Sequence, residues 1–281
     1  MQLIRDFGYE NSYVRLTYKK VFAFQYDKCE RLLWEFRSFS KVPVKPIDVL
    51  MLQPFFGFHA QGMRTIEPDR ILIRLWGKSP LMLVHEIVHC FFRSKNRSFH
   101  EGLADYFQIL YDNPVKKQNV LEFLKRLLVL YELDNPSAFM KIWFDSPNCD
   151  NTRNNLMLIT RYINMMFVDF LLEKLGVDNY FRTHYGETSE IMTEKLCAEF
   201  FQGLYDPAVR VPRKLVRLKA KHAAVSRAWS EFAGYGLPEQ GNPMKFLKSA
   251  QLSKAQNQKA IGIYRREILL YNAWLSVGHC K

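Results

Sequence analysis

The chain lacks most of what would place it outside or across a membrane. Its first ten residues carry no apolar core, so a secretory signal is not expected. No uncharged apolar run approaches the roughly twenty residues that a helical span needs. The most apolar stretch, 156–172, is broken by Arg161, Asn164 and Asp169. The five cysteines, Cys29, Cys90, Cys149, Cys197 and Cys280, are odd in number, scattered and never in a CxxC pair. That pattern favours reduced thiols over a disulfide framework and points to a cytoplasmic protein. Export as an effector without a classical signal stays open. There is no internal repeat, no zinc-finger spacing and no RNA-recognition motif.

Acidic residues are scarce in one part of the chain only. Residues 204–281 hold 14 Lys or Arg against 4 Asp or Glu, a net of 14 − 4 = +10, of the +12 carried by all 281 residues. Residues 1–203 are nearly neutral by the same count. The basic character therefore belongs to the C-terminal segment. Apolar content of 48% and aromatic content of 15% describe a globular chain with a real core.

What is present begins at His85-Glu86-Ile87-Val88-His89, with Glu101-Gly102-Leu103-Ala104-Asp105 after an eleven-residue gap. Two histidines four apart lie on one face of a helix, one turn from each other, and can grip one metal ion. Glu86 adjoins His85 and can take a proton from a water held at the metal. Catalytic zinc takes three protein ligands and keeps a fourth position open. Glu101 is the best third ligand, and His100 is its rival. Asp105 is one turn beyond Glu101, placed to accept the free ring N–H of a ligating histidine. A metzincin-type third ligand would fall at position 95, which is Lys95.

These residues resemble the gluzincins, the thermolysin-like zinc metallopeptidases, in which an HExxH helix is followed by a helix carrying Glu-x-x-x-Asp. The connection between the motifs is shorter here than in most members, as in compact ones. The resemblance implies one zinc ion per chain, with His85, His89 and Glu101 as ligands and Asp105 behind a histidine. Glu86 becomes the general base for hydrolysis of a peptide or protein substrate. In several such families a tyrosine near the start of a late helix donates to the oxyanion. By that analogy Tyr162 is the candidate, with His184 and Tyr185 as alternatives.

The pattern of elements predicts a zincin-like α+β fold. A small N-terminal mixed sheet would carry the active-site helix, followed by a mostly helical C-terminal part. Strands are expected at 12–19, 47–52 and 71–75, and a helix at 27–39. Ser79-Pro80 would open the metal helix. Segment 60–66 is a candidate edge strand for pairing with an extended substrate. A long helix over 152–175 should end at Gly176. The domain reading is a metallopeptidase domain, 1–203, and a basic, mainly helical segment, 204–281. Arg210, Lys214, Arg217 and Lys221 recur there at helical spacing. They suggest a patch for nucleic acid or another polyanion. The second functional reading is therefore a nucleic-acid-associated protein that uses the zincin fold as a scaffold or as a protease aimed at DNA-bound proteins.

Overall fold

The structure is a computed structural model. It describes residues 31–32, 35–36, 47–52, 60–66, 71–77, 81–92, 97–134, 155–183, 194–230, 232 and 252–278. The strand expected over 12–19, together with His184 and Tyr185, lies outside them.

Three strands form one sheet: β1 (Ile47–Leu52), β2 (Ala60–Ile66) and β3 (Ile71–Gly77). Their order is β1-β3-β2, with β3 parallel to β1 and antiparallel to β2. Ile47 stands opposite Ile71, and Ile66 pairs with the same residue from the other side. Among the described residues β2 is an edge strand.

The rest is helical: α1 (Leu81–Phe91), α2 (Arg97–Asp105), a π turn (Tyr106–Leu110), α3 (Pro114–Leu130), α4 (Asn155–Leu175), α5 (Val177–Thr183), α6 (Glu194–Phe201), α7 (Arg213–Ser230) and α8 (Lys254–Gly278). This corrects the expected α+β class. The described residues are mostly helical, and the sheet, at three strands of six or seven residues, is a minor element. The physical reason lies in residues 114–278, where apolar residues recur at helical spacing through one helix after another. Among the described residues, nothing in that span adds a strand to the sheet.

The chain divides into two compact units, 1–113 with 167–192, and 114–166 with 193–281. The basic segment from 204 onward belongs wholly to the second unit. No helix among the described residues is long and apolar enough to cross a membrane.

In the first unit α1 packs on β2 and β3 and against α2. Every residue of 83–92 is buried. A helix apolar nearly all round has no solvent face to offer, so burial on several sides is the expected outcome. Its end is locked by aromatics. Phe36 meets Phe91, Phe92 and Phe107 at centroid distances of 5.4, 4.8 and 4.9 Å. Phe181 stacks on Phe92 at 4.6 Å. Each buried phenylalanine contributes about 1.5–3 kcal/mol by burial alone. Edge-on aromatic pairs add about 0.5–1.5 kcal/mol. These contacts hold α1 and the π turn against each other. Arg31 pairs with Asp112, and Tyr111 donates to Glu35, which ties the segment around Phe36 to the residues just after the π turn.

The second unit is built from α3, α6, α7 and α8 with the first part of α4. Trp229 Nε1 donates to the buried Glu267 carboxylate at 2.8 Å. Lys219 donates to the Leu130 carbonyl at 2.7 Å and lies over the Tyr131 ring. Gly176 ends α4 with φ +76°, the left-handed conformation that a glycine adopts without steric cost.

Candidate metal centre

The site lies between two helices. His85 and His89 project from α1 one turn apart, and their rings stand edge to face. Glu101 projects from α2. His89 Nε2 lies 3.1 Å from His85 Nε2. Glu101 Oε2 lies 3.2 Å from His85 Nε2 and 3.6 Å from His89 Nε2. Both imidazoles are buried, and Glu101 is half-buried.

The donor set fits zinc. Bonds of about 2.0–2.2 Å in tetrahedral geometry separate two ligand atoms by roughly 3.3–3.6 Å. The three edges found here, 3.1, 3.2 and 3.6 Å, lie close to that triangle. Two imidazole nitrogens and one carboxylate oxygen are also ligand types that zinc accepts in catalytic sites.

Behind His85 is a second layer. Its Nδ1 lies 3.2 Å from Asp105 Oδ1 and 3.1 Å from Gln108 Oε1. Asp105 ends α2, and Gln108 sits in the π turn that follows, where all five residues are buried. An Nδ1–H donated to these acceptors leaves the Nε2 lone pair directed at Glu101 and His89. This is the tautomer that metal binding needs.

Electrostatics follow the same arrangement. Burial works against a charged His85. Its hydrogen bonds to Asp105 and Glu101, and their charges, outweigh burial and push it up to about 10. Burial would raise Glu101. Hydrogen bonds from His85 and His89 overcome this and hold it well below the usual carboxylate range. Glu101 and Asp105 therefore direct negative charge at the imidazoles from two sides.

The structure thus brings together four of the residues singled out in the sequence: His85, His89, Glu101 and Asp105. Glu86, beside them on α1, is buried. His100 stands apart from the donor set, with its ring against that of His89 at 4.0 Å. Tyr162 lies in the second unit, 1% exposed, with its ring edge-on to Phe123 at 5.2 Å. A side chain so enclosed suits packing more than contact with a substrate. Cys90 is buried and bonds the Glu86 carbonyl through its thiol, as a small core residue does.

Gln108 was not singled out from the sequence. The signal was its spacing: Glu101, Asp105 and Gln108 stand at i, i+4 and i+7, one stripe of a helix. Partners behind a metal histidine are worth about 10–100-fold in metal affinity. Gln108→Leu, which keeps the bulk and removes the acceptor, should weaken zinc binding by about tenfold. A competition titration against a chromogenic chelator measures this. An unchanged affinity would make Gln108 a packing residue.

No family model, curated protein or solved structure matches this chain. The likeness to gluzincins rests on the motif residues themselves.

Proposed function

We propose that the chain is a zinc-dependent metallopeptidase. The observation that carries this reading is the convergence of His85 Nε2, His89 Nε2 and Glu101 Oε2, with Asp105 and Gln108 behind His85. The two imidazoles and the carboxylate would hold one zinc ion. When bound, zinc would supply a Lewis acid for a peptide carbonyl and lower the pKa of water towards about 7.

The protein's own groups do the remaining work. Asp105 and Gln108 fix the His85 ring and its tautomer. Glu86, adjacent to His85 and buried, takes the proton of the attacking water and returns it to the leaving amine. A buried carboxylate is less solvated than one in water, which strengthens its interaction with any proton or cation brought near it. Peptide is favoured over other carbonyl substrates by the resemblance of HExxH with Glu-x-x-x-Asp to the gluzincin pattern.

The test combines metal analysis with activity. The purified chain, loaded with zinc and desalted, should hold one zinc ion per chain. It should cleave members of a mixed peptide library, lose cleavage on chelation and regain it when zinc is restored. A folded protein that takes up no zinc would remove the reading.

A further inference from the structure

The exposed side of α7 carries a charge pattern that does nothing for the fold. Arg213, Lys214, Arg217 and Lys221 are all exposed. Steps of three and four residues put them on one face, with Arg217 and Lys221 roughly 6 Å apart along the axis. Arg210 and Arg227, also exposed, extend the positive surface before and beyond them. The opposite stripe, Leu215, Leu218, His222, Val225 and Trp229, is buried, so the orientation of the helix is fixed.

No acidic residue occurs anywhere in Arg213–Ser230. Among the described residues, none of the four cations has an ion-pair partner. Lys219 differs from them, because it is engaged with the Leu130 carbonyl and the Tyr131 ring. The neighbouring α8 continues the charge with exposed Lys254, Lys259, Arg265 and Arg266. Its one acid, Glu267, is buried and accepts from Trp229.

The helix would be more stable without this face. Cations in a first turn oppose the macrodipole, whose positive end lies there. Like charges four apart, Arg213 with Arg217 and Arg217 with Lys221, repel one another. A local rule broken at several positions without an internal partner marks a functional surface.

We propose that this face of α7 binds the phosphate backbone of a nucleic-acid duplex, without regard to sequence. A rigid, evenly stepped row of cations matches a rigid, evenly charged polymer, and release of condensed counterions makes such contacts accumulate. Acidic side chains of a protein would form surface ion pairs, each worth little. Insertion into a membrane surface would need the apolar stripe of the helix, which is already buried. A single strand would call for exposed aromatic rings to stack on, and Trp229, the aromatic residue of α7, is buried. The inference stands apart from the metal centre, which it does not require.

The test is an anisotropy titration of the full-length protein against a labelled duplex of about 30 base pairs and arbitrary sequence, at 50 and 200 mM salt. Four phosphate contacts give a slope of about −3.6 in log K against log salt, roughly a hundredfold weakening over that range. Arg213→Gln/Lys214→Gln/Arg217→Gln/Lys221→Gln should cost at least about tenfold at 50 mM and flatten the slope. The matched control, Lys116→Gln/Lys117→Gln/Lys125→Gln/Arg126→Gln on α3, removes the same charge elsewhere and should leave both nearly unchanged. If circular dichroism shows the fourfold variant misfolded, Arg213→Gln/Arg217→Gln should remove about half of the slope. No binding of the duplex at 50 mM, an equal loss in the control, or tighter binding to phosphatidylserine vesicles than to the duplex would each overturn the proposal.

Discussion

The Glu86→Gln protein is expected to hold one zinc ion per chain and to turn over peptides about 10²- to 10⁴-fold more slowly than wild type, the range a positioned general base contributes. Two features separate the effects on chemistry and on metal. Glu86 is not one of the three groups that converge, so its loss leaves the donor set whole. It is also buried, and glutamine matches its volume, so the helix around it need not repack. What changes is proton affinity, since an amide cannot accept the proton of the attacking water. Single-turnover cleavage by both proteins, with zinc measured on the same samples, resolves the two. Wild-type turnover in the variant would remove Glu86 from the mechanism. Lost zinc would mean that the carboxylate supports the donor set instead.

The Glu101→Ala protein is expected to fold and to bind zinc at least about a hundredfold more weakly. Binding energies of about 10–16 kcal/mol for structural zinc, shared among three or four ligands, leave roughly 3 kcal/mol or more for each. Glu101 is also the anion that both histidines face, at 3.2 and 3.6 Å. Without it the two imidazoles lose the carboxylate that faces both of them, and Asp105 reaches only the far side of the His85 ring. The fold should survive, because α1 and the π turn are held by Phe36, Phe91, Phe92, Phe107 and Phe181, not by the carboxylate. Zinc content and thermal unfolding of the two proteins, measured side by side, check both halves. An unfolded variant is replaced by Glu101→Gln, which keeps the volume and loses the charge. Full zinc occupancy in either variant would show that another group completes the site.

What could be read in the sequence was what a single helix determines. His85 with His89, and Glu101 with Asp105, are pairs four apart, and helical geometry alone puts each pair on one face. That the two pairs meet depends on how the chain turns between α1 and α2, and residue spacing does not encode this. Gln108 was missed because a neutral amide at i+7 looks like any buried polar residue until the histidine it faces is known. The π turn that carries it leaves no recognisable mark in Tyr106–Leu110. Tyr162 rested on analogy alone. Its position near the start of a long helix invited an analogy, while its packing against Phe123 arises from contacts distant in sequence. The fold class was misjudged for a related reason. Short apolar runs such as 47–52 and 71–75 stand out in a sequence, but their number does not measure how much of the chain the helices take.

The carboxylates that flank His85 set the terms on which a metal would enter. They favour the protonated imidazole, so a metal at Nε2 would compete with a proton for the same lone pair. Entry would then be an exchange of one cation for another, and a bound metal should be held less tightly as the surroundings become acidic. Asp105 and Gln108 hold the second ring nitrogen as a donor, so a proton leaving the ring would leave from Nε2 and free the lone pair that a metal needs.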